Sequence, residues 1–214
     1  MKNLSFMKKL FAVALLLALP FAFAALWAIN LAISLAFAAP DANAGVAVGA
    51  AVEDFTLPDA DGKEHSLASL KGSKGTVLIF IATRCPVSNA YNERMQKLAE
   101  DYRAKGVNVV GINSNSTEPA AEVKSHAAEK GLTFAILKDA GNQIADRFNA
   151  QATPEAYLLD ASGKLVYHGA IDNSRNGDSV TSSYLRDAVE ATLAGKPVEK
   201  TEVKAFGCSI KRAS

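Results

Sequence analysis

The spacing of apolar residues alternates between strand-like and helix-like from residue 52 to the end of the chain. Residues 76–83 (TVLIFIAT) form one continuous apolar run rich in β-branched side chains, which is typical of a strand covered on both faces. The positions after it recur at helical spacing and predict a helix with one apolar face: Tyr91, Met95, Leu98 and Tyr102. We expect Gly106 to end this helix.

The same alternation predicts the remaining elements. Short apolar runs between turn residues predict a hairpin over 55–67 and strands over 107–112, 134–137, 156–159 and 165–168. Helical spacing predicts helices over 118–130, 144–148 and 185–193, the first of them capped by Thr117. Strands joined by helices need parallel crossovers, whereas the late hairpin adds antiparallel strands. We therefore expect an α/β domain with a mixed central sheet and helices on both faces.

The first 44 residues differ from the rest. Residues 10–40 carry no charged side chain and follow three lysines, and a positive start before an apolar run is typical of an export signal. Residues 42–44 (ANA) fit a signal-peptide cleavage site, and residues 36–38 and 22–24 are alternative cleavage sites. Because the run exceeds the roughly 20 residues that span a bilayer, an uncleaved membrane anchor is an alternative. A third interpretation is that the apolar run forms a core helix of the domain.

Charge and length divide the chain further. The 23 basic and 22 acidic side chains are nearly balanced, which excludes the electrostatic footprint of a nucleic-acid-binding protein. We expect residues 1–44 to be a signal peptide or anchor and 45–200 to form the domain. Residues 201–214 would be a C-terminal tail that carries Cys208. Export would place both cysteines where disulfides persist, and we expect the periplasm, with the protein soluble or anchored to the inner membrane.

Cys85 is the residue best placed for chemistry. It stands between the apolar run and Pro86, which suits the first turn of a helix because its missing N–H costs nothing there. Free N–H groups at a helix N-terminus and the neighbouring Arg84 both favour a thiolate, which is the reactive form of cysteine. The alternative is a buried cysteine that only fills space.

Five segments carry a family resemblance, and they occur in this order: 80–91 (FIATRCPVSNAY), 111–115 (GINSN), 153–160 (TPEAYLLD), 163–175 (GKLVYHGAIDNSR) and 207–211 (GCSIK). Together they resemble the peroxiredoxin-like branch of the thioredoxin superfamily, the redoxin or AhpC/TSA-like proteins, over residues 52–211. The resemblance implies a thioredoxin-like fold and a thiol oxidoreductase with Cys85 as its reactive thiol. It also implies that Thr153 precedes a cis-proline, Pro154, whose loop faces that thiol.

The sequence departs from its relatives at several positions. Ser88 stands where thioredoxins have the second cysteine of Cys-x-x-Cys, and it could bond the thiolate or cap the helix. Leu78 and Ala82 replace the Pro and Thr of the peroxiredoxin pattern Pro-x-x-x-Thr-x-x-Cys. Ala152 stands where many relatives have another cysteine before the cis-proline. Peroxide reduction and disulfide exchange are therefore both open as activities.

Cys208 is the only other thiol in the chain. One hypothesis makes it a resolving cysteine, which attacks the sulfenate or mixed disulfide formed when Cys85 attacks a peroxide or a disulfide. An external dithiol would then reduce the Cys85–Cys208 bridge. The alternatives are a permanent structural disulfide and a thiol that is free or pairs with another molecule.

Few other residues suggest chemistry. His65, His126 and His168 lie on separate elements without ligand spacing, so we expect no metal and no cofactor. A copper chaperone, one form of a non-catalytic binding protein or redox-partner module, is the alternative function, but Asn89 stands where such proteins usually have a second cysteine. Residues 172–175 (DNSR) either cap a polar turn or receive the substrate or the tail. The expected partners are a peroxide or disulfide substrate and a dithiol reductant.

Overall fold

The computed structural model describes residues 45–213. The strands in this range are β1 (Thr56–Pro58), β2 (Glu64–Ser66), β3 (Gly75–Phe80), β4 (Val107–Asn113), β5 (Ala135–Lys138), β6 (Ala152–Thr153), β7 (Glu155–Asp160), β8 (Leu165–Gly169), β9 (Glu202–Val203) and β10 (Cys208–Ser209). The helices are α1 (Leu67–Leu70), α2 (Pro86–Ala90), α3 (Asn92–Arg103), α4 (Ala120–Glu129), α5 (Gln143–Arg147) and α6 (Tyr184–Leu193).

Six strands form the central sheet in the order β5-β4-β3-β7-β8-β9. The pairs β3–β4, β4–β5 and β8–β9 are parallel, whereas β3–β7 and β7–β8 are antiparallel. The expected mixed sheet is therefore confirmed, with β3 near its centre and Cys85 shortly beyond the end of β3. Two small antiparallel pairs, β1–β2 and β6–β10, complete the strand pairing of the described range.

Strand β3 divides the hydrophobic core into two layers because its side chains alternate between the faces of the sheet. Val77 and Ile79 belong to the layer that contains the apolar faces of α3 and α6. Leu78 and Phe80 belong to the opposite layer, which contains α5 and the β1–β2 hairpin region. Helices cover both faces, as expected, and this explains why every residue of β3 is buried and why residues 77–80 are continuously apolar.

Two helix starts differ from the sequence prediction. The helix after Cys85 is interrupted at Tyr91, whose N–H donates to the carbonyl of Ser88, only three residues back. Helix α4 begins after Pro119 without a side-chain cap, so the predicted capping role of Thr117 is wrong. The ring of Pro119 disfavours helical geometry in the residue before it, which prevents a start at residue 118.

The last residues of the described range pack onto the domain. Strand β9 extends the central sheet beside β8, and β10 pairs with β6. Ile210 lies in the core layer of Phe80 and α5. The predicted leader, residues 1–44, lies outside the described residues. Among residues 45–213, no helix is long and apolar enough to cross a membrane.

Candidate active site

Cys85 lies at the N-terminus of α2 and is only 3% exposed. Pro86 occupies the first turn of the helix, as the sequence predicts. The Cys85 sulfur accepts a hydrogen bond from the N–H of Ser88 at 3.3 Å. A backbone donor aimed at this sulfur stabilises negative charge on it, so the geometry suits a thiolate.

Cys85 and Cys208 form a disulfide. Their Cα atoms are 5.9 Å apart although 123 positions separate them in the sequence. This pairing is not consistent with a free tail thiol, and it leaves the resolving and the permanent disulfide as the two interpretations of Cys208.

The cis-proline loop completes the surroundings of the disulfide. The Thr153–Pro154 peptide bond is cis, as the resemblance implies. The carbonyl oxygen of Thr153 lies 3.4 Å from the Cys85 sulfur, and Thr153 is the pairing partner of Cys208 in the β6–β10 pair. One short loop therefore contacts both cysteines, which explains how the tail is guided onto Cys85.

Arg84 has a different role from the one its position suggests. Its exposed guanidinium pairs with Glu122, with Nε donating to a carboxylate oxygen at 2.9 Å. The bonds that Glu122 accepts from Arg84 and then from Thr83 lower its pKa to about 2. Because Glu122 already compensates the charge of Arg84, stabilisation of a thiolate depends on the helix N-terminus instead.

Ser88 is also used differently from either predicted role. Its side chain is fully buried, and its hydroxyl oxygen accepts a hydrogen bond from the N–H of Ala82 at 3.1 Å. The contact with Cys85 is made by the backbone of Ser88 and not by its hydroxyl. The hydroxyl therefore holds the turn between β3 and α2 in place.

Residues 172–175 stabilise the surface against which the C-terminal tail packs. Asp172 accepts hydrogen bonds from the hydroxyl of Tyr91 at 2.8 Å and from the guanidinium of Arg94 at 2.6 Å. The ring of Phe206, two residues before Cys208, packs on Tyr91. The guanidinium of Arg175 lies 5.5 Å from the centre of the Phe206 ring. The segment is thus both a polar turn and a contact surface for the tail.

The sequence prediction does not include a second polar cluster, which surrounds Glu118. This residue follows β4 and is 1% exposed, and its carboxylate accepts the N–H groups of Thr83 and Arg84. Glu118 stands at the start of the helix predicted over 118–130, and a single glutamate is usually exposed to solvent. The only available indication is its place beyond the carboxyl end of a parallel strand, where functional groups of α/β proteins gather.

The three histidines have separate partners. His65 lies 2.8 Å from Asp59, His126 lies 3.2 Å from the amide of Asn92, and His168 lies 2.6 Å from Glu155. Within residues 45–213, no group of three or more His, Cys, Asp and Glu side chains could hold a metal ion. Asn89, at the position of a copper chaperone's second cysteine, donates to the carbonyl of Thr83.

Comparison with known proteins assigns the family. The sequence pattern of the AhpC/TSA family matches residues 48–168, which is more than half of the chain. The chain belongs to the AhpC/TSA family. The matched part of this AhpC/TSA domain contains Cys85 and the cis-proline and ends before Cys208.

Several individual proteins are similar to this AhpC/TSA chain. Thiol-disulfide oxidoreductase ResA of Geobacillus thermodenitrificans (strain NG80-2) is 34% identical over 120 residues, covering 56% of this chain and 67% of that protein. A hypothetical protein from Sinorhizobium meliloti 1021 has a crystal structure with a TM-score of 0.74 and 38% identity, covering 79% of this chain and 97% of that one. An uncharacterized conserved protein from Geobacillus kaustophilus gives a TM-score of 0.74 and 35% identity, covering 79% and 94%.

The AhpC/TSA assignment, the sheet order and the cis-proline loop confirm the expected thioredoxin-like fold. Together with the paired cysteines they also confirm a thiol-dependent oxidoreductase as the functional class. The alternative, a non-catalytic binding protein, is not favoured by these comparisons.

Proposed function

We propose that this protein is an exported thiol-disulfide oxidoreductase in which Cys85 is the nucleophile and Cys208 is the resolving thiol. The observation that carries the proposal is the disulfide between a buried cysteine at a helix N-terminus and a less buried one on a paired tail strand. The similarity to thiol-disulfide oxidoreductase ResA supports disulfides as the substrate class.

The reaction begins with the reduced protein. The Cys85 thiol loses its proton to solvent, and the thiolate, stabilised by the N–H of Ser88, attacks one sulfur of a substrate disulfide. The substrate S–S bond breaks, one substrate thiolate leaves, and a mixed disulfide with Cys85 remains. The Cys208 thiolate then attacks the Cys85 sulfur and releases the second substrate thiolate. The substrate gains two electrons and the protein becomes the Cys85–Cys208 disulfide.

An external dithiol regenerates the enzyme. It meets Cys208 more easily than Cys85, because Cys208 is partly exposed and Cys85 is buried. Attack on the Cys208 sulfur by one thiolate of the reductant releases Cys85 as the leaving group, and a thiol that is stabilised as the anion leaves faster. The second thiolate of the reductant then attacks its own sulfur in the mixed disulfide, which releases Cys208 and the oxidised reductant. The buried position of Cys85 and the N–H of Ser88 thus support entry of the reductant at the tail side of the bridge.

Peroxide reduction is the second candidate, because the chain belongs to the AhpC/TSA family. Against it stands Ala82, which replaces the threonine of the peroxiredoxin pattern and offers no hydroxyl beside the sulfur. We therefore favour disulfide exchange.

Export is part of the proposal. The uncharged run of residues 10–40 after three lysines supports a leader, and residues 45–200 with the tail 201–214 would then act in the periplasm, either released or anchored. Such an oxidising compartment allows disulfides to persist, so a dedicated dithiol donor is needed for each turnover.

The proposal is tested by turnover of the full chain with insulin or oxidised glutathione as the disulfide and dithiothreitol as the reductant. Cys85→Ser should reduce activity to background, and Cys208→Ser should accumulate a mixed disulfide at Cys85 that mass spectrometry detects. Hydrogen peroxide is offered in parallel. Turnover of disulfides by Cys85→Ser would overturn the assignment, and fast loss of peroxide with slow disulfide exchange would favour the second candidate.

A further inference from the structure

The carboxylate of Glu118 receives four hydrogen bonds. One oxygen accepts the N–H of Thr83 at 2.9 Å and the side-chain amide of Asn113 at 2.5 Å. The other accepts the N–H of Arg84 at 3.1 Å and the side-chain amide of Asn115 at 2.9 Å. Two of these donors are the backbone N–H groups of the two residues before Cys85. Glu118 therefore fixes the loop that joins β3 to Cys85.

The same cluster also holds the tail. The side-chain oxygen of Asn115 accepts the N–H of Lys211 at 2.7 Å, and the N–H of Ser116 donates to the carbonyl of Lys211 at 2.9 Å. Lys211 lies three residues after Cys208. The amide of Asn115 therefore bonds Glu118 through its nitrogen and the Cys208 segment through its oxygen.

We propose that Glu118 is a positioning residue that holds the Cys85 loop and, through Asn115, the Cys208 tail in register for disulfide formation. The proposal deepens the proposed function, on which it rests, by naming what sets the equilibrium between the dithiol and the disulfide. When both anchors are in place, the two sulfurs meet at a high effective concentration, and the disulfide is favoured.

The charge of Glu118 is essential to this arrangement. A carboxylate only accepts hydrogen bonds, and all four groups that face it are donors. Burial opposes ionisation, but these donors hold the pKa of Glu118 below its ordinary value. The buried ammonium of Lys138 bonds the oxygen of Asn113 at 2.7 Å, which turns the nitrogen of that amide toward Glu118. In Glu118→Gln, an NH₂ group would face donors, so the loop or the tail must move.

The test is the equilibrium of the full chain with glutathione, in which protein dithiol and oxidised glutathione exchange to give protein disulfide and two reduced glutathione molecules. Glu118→Gln should lower the equilibrium constant by roughly tenfold or more, because bonds to a buried charged group are lost. Glu129→Gln is the control, since the exposed carboxylate of Glu129 bonds only Lys130 and does not contact the Cys85 loop. Its constant should stay close to that of the wild type.

The variant Asn115→Ala tests the contact with the Cys208 tail separately from the contact with the Cys85 loop. It should lower the equilibrium constant for disulfide formation while leaving the bonds between Glu118 and the Cys85 loop intact. Denaturation of the oxidised and reduced forms is measured alongside. The proposal is overturned if Glu118→Gln destabilises both forms equally and leaves the constant unchanged, since Glu118 would then only support the fold. The glutathione equilibrium does not depend on substrate turnover. A failure of the proposed enzymatic function is therefore recognised separately, by disulfide turnover that persists in the Cys85→Ser variant.

Discussion

Gly207 lies so close to Thr153 that a β-carbon at position 207 would stand 2.0 Å from the carbonyl oxygen of Thr153. Real β-carbons do not approach a backbone oxygen to this distance. The absence of a side chain at Gly207 therefore lets the tail lie flat on the cis-proline loop, one residue before the cysteine that completes the disulfide.

Gly207→Ala should weaken the Cys85–Cys208 disulfide. The methyl group forces the tail away from Thr153, where neighbouring backbone atoms cannot yield, so oxidation by glutathione should be less complete than in the wild type. Alkylation of free thiols followed by mass spectrometry measures the oxidised fraction. Gly141→Ala is the control, since a β-carbon there meets its nearest atoms at an ordinary 3.8 Å. Equal oxidation of both variants would show that the tail adapts without cost.

Reduction should lower the stability of the domain. The disulfide joins residues 123 positions apart, and closing so long a loop restricts the unfolded chain. The loss on reduction is expected to be about 2–5 kcal/mol, which is a model-dependent range. Guanidinium denaturation with and without dithiothreitol measures it, and the double variant Cys85→Ser with Cys208→Ser should not respond to the reductant. Coincident curves for the wild type would contradict the expectation.

Glu155 should contribute to acid sensitivity. Burial opposes its ionisation, but bonds from His168 and from the N–H groups of residues 151 and 152 hold its pKa below the ordinary 4.5. The unfolded chain therefore takes up the proton first, and stability should fall as pH decreases below about 4.5, by at most ~1.4 kcal/mol per pH unit for one proton.

This contribution is measured by urea denaturation between pH 7 and pH 3. Glu155→Gln should have a shallower loss of stability with decreasing pH than the wild type, whatever its stability at pH 7. The exposed Glu202, on strand β9 of the same sheet, provides the control Glu202→Gln, which should keep the slope of the wild type. A parallel slope for Glu155→Gln would assign the acid sensitivity to other carboxylates.

Phe206→Ala should make the disulfide easier to reduce. The ring packs on Tyr91 at a centroid distance of 6.4 Å, beneath Arg175, and its burial helps to hold Cys208 against Cys85. Loss of a partly buried aromatic side chain should accelerate reduction by dithiothreitol by roughly tenfold. Val180→Ala, in an exposed loop, should leave the rate unchanged. An unchanged rate for Phe206→Ala would indicate that the β6–β10 pairing alone holds the tail.

The main elements of the fold could be predicted because their local sequence agrees with their environment. All of β3 is buried and residues 77–80 of it are apolar, and the stripe Tyr91, Met95, Leu98 and Tyr102 faces one core layer. Strands β6, β9 and β10 have two residues each, too short for any periodicity. They depend on partners far away in the sequence, so no local pattern could indicate them.

The candidate site was predictable to a similar degree. Cys85 and Pro154 stand out through a local junction and a family resemblance, and the structure places both beside Cys208. The pairing itself could not be derived, because the sequence does not show that two residues 123 positions apart approach to 5.9 Å. The ion pair of Arg84 with Glu122 could not be predicted either, because Glu122 comes near Arg84 only when α4 packs beside the Cys85 loop.

The separation of Cys85 and Cys208 along the chain has a consequence for biosynthesis. Translation at roughly 5–20 residues per second would make Cys208 about 6–25 s after Cys85, given their separation of 123 residues. In that interval five of the six strands of the central sheet are synthesised, all except β3, while the chain holds no second thiol that could displace a foreign thiol from Cys85. A mixed disulfide formed on Cys85 before Cys208 is available can therefore be removed only by a thiol of another molecule.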